Sequence, residues 1–598
     1  MEIKIIKNIF SRVLRRFSIG RILTREHEDR KPGQDDQIEQ VEQPEHIKQI
    51  EHTEQIAQIK PDHLKTLLLL KEQGDWFTLL EKGRELLLQN PPQYDAIEFV
   101  AYNLQQSGQL EAAAEIAGRA TELSPDFWMF HFLAGVALKG TGRKKEACKF
   151  LLRAVAIRPN DEQTMREWIE AIATSEGIEL ASAEYASHCR QMGSETNIVV
   201  APISAVRDWA KKVGLSLLEA GEVEEIPFKA PHIWGSPLAS DTVFALSNKP
   251  YVAEIKDARI FSNSSIIFTP DGTALNDNAG HSRFGRCVSF AYEAVVLAQE
   301  SDKLLLNFTK YATREIEAGI FLAGLASNAF GHWLPEFLPK LQFFQQHPDF
   351  DALPIIVDKD MPQSHFDHLR RLVNNPLILL EANESLLCQR LLVAPSFAFF
   401  PVETFPNDIP VQEFPGLSPR ALRFLRADVA VEIKKPQHRR LFLARKNMKW
   451  RRLLNEDEIA ADLSQLGFET IFIEEMAVSE QIDLFQQAEF IVAPNGSSLL
   501  NLIFADTSTK LLVLIQPNVF NWGTFQGPMD ALGYQSLCVC GDYALSKDQK
   551  HSDYHIPVAR IREALCHIGM NDDILVGNFN EKTHYFCYQA HLASFRRV

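Results

Sequence analysis

Glycine and proline recur with a single period through residues 74–159. Gly74, Gly108 and Gly142 stand 34 residues apart, and so do Pro91, Pro125 and Pro159. Small residues keep the same spacing, Ala113 with Ala147 and Ala120 with Ala154, while Leu79 and Leu86 hold the matching places in the first copy. A glycine lets the chain reverse between two helices, small side chains let those helices approach, and a proline stops the second. A fourth copy keeps Ala181, but Glu176 and Gly193 stand where glycine and proline are expected, as in a terminal cap. This pattern commits residues 61–195 to antiparallel helix pairs.

The agreement of several residue types in register resembles the tetratricopeptide repeat. The resemblance implies an all-α solenoid whose concave groove takes an extended peptide or a partner helix. A spacer or a dimerisation surface is the other reading of such an array.

The remaining chain is too long for one further module. At roughly 150 residues per domain, 598 residues allow about four. A net charge of −16 argues against a protein that coats nucleic acid over its whole surface. Eight cysteines without a CxxC fit neither a disulfide scaffold nor a zinc site and point to a reducing, cytoplasmic setting. Cys538 and Cys540, two apart in SLCVCG, read as strand packing. No apolar run reaches 18 residues, and the first residues are too charged for a signal peptide.

Residues 1–26 nevertheless carry seven Lys and Arg against two Glu, and Ile6, Phe10, Val13, Leu14 and Phe17 share one helical face. Such a helix can lie on the anionic inner face of a membrane or dock on its own protein. Residues 28–60 repeat Gln, Glu, His and Ile and form a polar linker, so residues 1–60 are arm plus linker.

Past residue 225 the texture changes to alternating strands and helices. Residues 250–275 read as short antiparallel strands, and GIFLAG, PIIVD, PLILLE and RLLVAPS as strands between helical stretches. A second unit follows: strand RLFLA, a helix capped by Asn455 with Glu458 and stapled by Leu454 and Ile459, then FETIFIE, SEQIDLFQQA, EFIVAP, NGSS, LLNLIFA and KLLVLIQ. The alternation predicts two Rossmann-like halves, residues 225–436 with a strand-rich lead-in and residues 437–570, with a cleft at the strand ends.

Three features could hold chemistry there. Residues 439–452 contain seven Arg and Lys and no acid; Arg445, directly after a strand, is best placed to grip a diphosphate. Asn495-Gly496-Ser497-Ser498 lies between a strand and a helix, where backbone N–H groups favour an anion. His332, in NAFGHWLPEFLP, is a candidate general base, with Glu336 competing for the role. Asp358-Lys359-Asp360 is a DxD triplet that reads as a strand-end turn.

These blocks, in this order over about residues 225–545, resemble family-61 glycosyltransferases. The resemblance implies the α/β B-type fold of two Rossmann-like halves, no metal or cofactor, and sugar transfer with inversion from a nucleotide sugar, expected to be UDP-linked. It implies that Arg445 and Arg451 lie near the donor diphosphate, and it matches Asn455, Glu456 and Asn501 to the family's donor-side positions. It places His332 in the acceptor half. Where the family usually has His-Gly-Ala, this chain has Asn495-Gly496-Ser497.

The resulting expectation is an inverting hexosyl- or pentosyltransferase acting on a hydroxyl of a glycan or protein acceptor, with the repeats recruiting acceptor or partner. Asn495 motivates an alternative, because asparagine cannot serve as acid or cation. That alternative is a repeat-based adaptor with an inactive or donor-sensing transferase-like domain.

Overall fold

The computed structural model describes residues 61–570 except 230–231, 236–241, 281–288, 291, 397–416, 428, 430–436, 446–450, 517–528, 530–531 and 544–552. The basic arm, the linker, Lys446 and Lys449 lie outside the described residues.

The chain divides into two compact units between Ala134 and Gly135. The first contains α1 (Pro61–Gln73), α2 (Trp76–Leu87), α3 (Tyr94–Gln106), α4 (Leu110–Leu123) and the start of α5 (Trp128–Gly140). Gly74 and Gly108, at φ 66° and 81°, make left-handed turns between paired helices that a side chain would resist. Gly83 in α2 lets α3 and α4 close in: a Cβ there would sit 2.8 Å from Val100. The periodic Leu79, Ala113 and Ala120 are fully buried.

The second unit begins with the end of α5, then α6 (Lys144–Ile157), α7 (Glu162–Ser175) and α8 (Ile178–Gln191). Gly142 repeats the left-handed turn at φ 86°. In the fourth copy the turn falls one residue later than the period: Glu176 closes α7 and Gly177, at φ 109°, reverses the chain. Ala147, Ala154 and Ala181 are fully buried. The Glu300 carboxylate accepts the Ile178 N–H at 2.7 Å and ties α8 to the sheet that follows.

Strand structure starts at β1 (Ile198–Ser204), before the point where the composition changes, and α9 (Val206–Val213) follows it. Then come β2 (Leu218–Glu219), the hairpin of β3 (Glu225–Lys229) and β4 (Thr242–Leu246), β5 (Tyr251–Phe261), β6 (Ile267–Phe268), β7 (Ala274–Leu275), β8 (Val296–Glu300) and β9 (Lys303–Asn307). The expected short strands of residues 250–275 are one long strand and two short ones. β10 (Ala312–Phe321), β11 (Ile355–Asp358), β12 (Leu377–Leu380) and β13 (Glu384–Val393) complete a mixed eleven-stranded sheet. Within it, β12-β11-β10-β13 run parallel, and β13 joins antiparallel β5. α10 (Gln363–Leu372) connects β11 to β12, and α11 (Pro419–Arg426) follows β13.

The other large sheet is wholly parallel, in the order β15-β14-β16-β17-β18. Its strands are β14 (Arg439–Leu443), β15 (Phe468–Ile471), β16 (Ala488–Pro494), β17 (Lys510–Ile515) and β18 (Gln535–Cys540), and its helices α12 (Glu456–Gln465), α13 (Val478–Gln486) and α14 (Val558–His567). The period of two explains why these strands read as unbroken apolar runs. Leu441, Ile491 and Val513 face one core, while Phe442, Val492 and Leu512 face another with Ile459 and Leu463 of α12. The first of these cores also contains Ile320, Ile355 and Leu392 from the preceding sheet, so both sheets share it. Cys538 and Cys540 are buried free thiols in that core.

Candidate active site

The acceptor-side motif follows β10. Its loop is pinned by Asp358, fully buried at the end of β11, which accepts the N–H groups of Asn263 (2.8 Å) and Gly324 (3.0 Å) and the Ser327 hydroxyl (2.7 Å). Burial lifts this carboxyl to about 6 despite those three donors. A second buried acid, Glu293, accepts the Ser264 hydroxyl and the Ser265 N–H, each at 2.8 Å, and burial lifts it to about 7. Ser265 Oγ in turn accepts the Leu325 N–H at 3.0 Å. Asp360 is exposed and reaches only Asn263 Nδ2, at 3.4 Å. The DxD triplet is therefore a loop anchor, and no metal-binding group of His, Cys, Asp and Glu forms among the described residues.

His332 lies within a helical segment of changing type. Phe330–His332 form a single α turn, Trp333–Phe337 a π turn and Leu338–Lys340 a 3-10 turn. Pro335 and Pro339 lack the N–H donors that a regular helix needs, so the bonding pattern slips. The slip leaves His332 and Glu336 facing each other, with Nδ1 and Oε1 2.6 Å apart. They are two members of one pair rather than rival bases. Burial pulls the imidazole pKa down, but the Glu336 charge and hydrogen bond outweigh it and the net shift is upward. With Nδ1–H donated to the carboxylate, the neutral ring carries its lone pair on Nε2, the arrangement a general base needs.

The arginines of the basic cluster divide sharply. Arg439 pairs with Glu469 at 2.5 Å, Arg452 with Asp553, and Arg440 donates to the Leu466 carbonyl at 2.7 Å. The guanidinium groups of Arg445 and Arg451 form no ion pair within 4.0 Å among the described residues. Arg445 donates to the carbonyls of Asn495 (3.3 Å) and Arg451 (2.9 Å), and its backbone N–H reaches Glu456 at 3.3 Å. The Nε atoms of both arginines are buried with no partner. Arg451 sits at a left-handed φ of 55°, and burial together with the Arg445 charge lowers its pKa. Two part-buried cations held together, with Glu456 the one acid beside Arg445 among the described residues, make a site that an anion would stabilise.

The glycine loop leaves β16 through Asn495, whose N–H bonds to the Leu514 carbonyl at 2.9 Å. Ser497–Phe504 is a 3-10 helix where an α-helix was expected. Ser497 is exposed and Ser498 half-buried. Asn501 is 1% exposed, and its Oδ1 and that of Asn495 are buried and unpartnered. A Cβ built on Gly496 would lie 3.7 Å from Arg445 Nη1, and one built on Gly331 would lie 3.2 Å from the Ser497 Cβ. The three blocks, far apart along the chain, thus meet through Arg445, Gly496, Ser497 and Gly331.

 Gly331 makes the tighter of these approaches, and a side chain there would press on Ser497.

Asn455 and Glu456 behave differently from one another. Asn455 makes no capping bond; its amide donates to the Ile556 carbonyl (2.8 Å) and to Glu458 (3.2 Å), and its Oδ1 accepts the Ile556 N–H (3.2 Å). It clasps the chain after β18 instead of facing Arg445. The expected staple also differs, because Leu454 is exposed and Leu453 packs with Ile459. Glu456 stays beside Arg445, with its pKa raised by burial against the Arg445 backbone bond and charge.

Two further residues escaped the sequence reading. His365 and His368 of α10 are buried beneath Phe330 and Trp333, and burial pushes them down to about 4 and about 3. Histidines three apart beside Phe366 and Leu369 were the available signal, but the same spacing is common on exposed helices.

Residues 330–512 match the sequence model of the family described as Glycosyltransferase 61. A protein of Oryza sativa subsp. japonica named Alpha-1,3-arabinosyltransferase XAT3 is 24% identical over 288 residues, 45% of this chain and 48% of that protein. The chain spans about half the length of that curated relative. Every candidate residue named above lies within residues 330–512.

Proposed function

From the glycosyltransferase 61 domain of residues 330–512, we propose that this protein is an inverting glycosyltransferase that moves a sugar from a nucleotide-sugar donor to an acceptor hydroxyl. The observation that carries the reading is the pair Arg445 and Arg451, whose Nε atoms are buried without a partner among the described residues, joined through Gly496 and Ser497 to the His332–Glu336 pair. The arginines and the N–H groups of the glycine loop hold the diphosphate and stabilise its growing charge as the glycosidic bond breaks. His332 Nε2 takes the acceptor proton as the hydroxyl oxygen attacks the anomeric carbon from the opposite side, and Glu336 steadies the imidazolium that forms.

The parallel strand orders β12-β11-β10-β13 and β15-β14-β16-β17-β18 support a B-type arrangement of two Rossmann-like halves. The left-handed glycines at the helix turns support a tetratricopeptide-like array that recruits an acceptor or partner protein. A UDP-linked donor is the first choice, and the relative's name puts a pentose ahead of a hexose. No described helix is long and apolar enough to cross a membrane. A cytoplasmic location, with residues 1–26 on an anionic surface, remains part of this proposal.

The test is a panel of nucleotide sugars, UDP-pentoses and UDP-hexoses first, assayed by thermal shift and by donor hydrolysis with the purified full chain. A shift and hydrolysis that both vanish in Arg445→Ala support the reading. No shift with any donor sinks it in favour of an adaptor.

A further inference from the structure

α10 presents two histidines, one turn apart, to the interior. His365 lies parallel to Trp333, with ring centroids 5.6 Å apart and planes at 14°, and 6.0 Å from Phe330 at 29°. The Trp333 indole N–H donates to the His365 carbonyl at 3.1 Å. His368 lies parallel to Phe504, at 6.0 Å and 11°, and tilted against Phe330 at 5.7 Å. On the Phe504 ring sits the Arg371 guanidinium, 4.9 Å from the centroid.

The positions of these rings in the chain give them their meaning. Phe330 is two residues before His332, and Phe504 ends the 3-10 helix that starts at Ser497. The acceptor-side segment and the donor-side loop therefore meet twice, directly at Gly331 and Ser497 and again through the His368 ring between Phe330 and Phe504. Among the described residues neither nitrogen of His368 has a hydrogen-bond partner, nor has Nδ1 of His365. A buried imidazole with unpartnered nitrogens contributes through its shape and stacking, not through a proton.

We propose that His365 and His368 are positioning residues: a pair of flat rings from α10 that sets the His332 segment at a fixed distance from the donor loop. The inference rests on the glycosyltransferase reading for its consequence in turnover, but not for its structural content. His332 must stand within reach of an acceptor whose target carbon is held by the donor loop, and a small change in that separation costs turnover while leaving diphosphate contacts intact.

His368→Ala and His368→Phe in the full chain test this. Hydrogen exchange of residues 329–337 and 497–504 is the first readout and needs no substrate. His368→Ala should speed exchange in both segments at least tenfold, and His368→Phe, which keeps a ring, should hold exchange within about threefold of wild type. UDP affinity, measured by calorimetry, should stay within about twofold in both variants. Where a donor has been found, kcat should fall at least tenfold in His368→Ala with little change in donor KM, and recover in His368→Phe. Unchanged exchange in His368→Ala overturns the proposal whatever the turnover. Failure of His368→Phe to restore exchange or kcat overturns it too, because the ring alone would then not suffice. An inactive wild type with the expected exchange pattern counts against the glycosyltransferase reading and leaves the positioning role supported.

Discussion

Gly331, in the helical turn after β10, and Ser497, at the start of the 3-10 helix after β16, approach so closely that a Cβ on the glycine would lie 3.2 Å from the Cβ of the serine. This contact sets the His332 segment against the donor loop. Gly331→Val should push the two apart, with an overpacking cost of about 1–3 kcal/mol in denaturant unfolding. Turnover should fall further than stability does, whereas Gly331→Ala, which needs only a small shift of Ser497, should be milder in both. Equal turnover for the valine variant and wild type would exclude a role for this contact.

Arg445 and Arg451 should separate binding from stability. A charged hydrogen bond contributes about 1.5–3 kcal/mol, so Arg445→Ala and Arg451→Ala should each weaken UDP binding by about 10- to 100-fold in calorimetry. Removing one of the two cations relieves repulsion in the free protein. Arg451→Met should accordingly keep or raise the melting temperature without UDP. Arg452→Ala, which breaks the pair with Asp553, should instead lower stability and leave UDP affinity near wild type.

The His332–Glu336 pair carries a pH signature. The imidazole pKa is raised in the fold, so the stabilisation from protonating it is present below the ordinary value and is lost as pH rises through the raised one. Turnover has the opposite sense, because a base must be neutral, and its acid limb should lie above the ordinary imidazole range. In Glu336→Gln burial acts without the opposing charge, and the limb should move to lower pH. His332→Gln should cost about 10²-fold or more in kcat with little change in UDP affinity. An acid limb that stays put in Glu336→Gln would show that the pair does not govern it.

Asp358 and Asp360 should differ in a way that a metal motif would not allow. Asp358→Asn replaces an acceptor of three hydrogen bonds with a group that also donates, and should cost about 1–3 kcal/mol with a matching loss of turnover. Asp360→Ala removes one long contact at the surface and should stay within about twofold of wild type in turnover. Comparable losses in both variants would argue against the loop-anchor role.

The helical repeats and the order of strands and helices were legible in the sequence because both depend on local periodicity. Glycine at a reversing turn, buried alanine between helices and a strand apolar on both faces each leave a mark within a few residues. Even there the period mispredicted the fourth turn by one residue, because Gly177 rather than residue 176 can adopt the left-handed conformation. The chemistry of the basic cluster was legible as charge, but not its division. Only the fold brings Glu469 to Arg439 and Asp553 to Arg452 while leaving the Arg445 and Arg451 side chains without an ion pair among the described residues. The same holds for Asn455, which long-range pairing with Ile556 engages; His332 and Glu336, four residues apart in a helical segment, are partners through local geometry. His365 and His368 were ambiguous in one dimension, since burial depends on what packs over a helix, and Phe330, Trp333 and Phe504 arrive from distant parts of the chain. Local pattern selects the elements; which charges remain unpaired and which rings stack is decided by contacts between residues far apart in sequence.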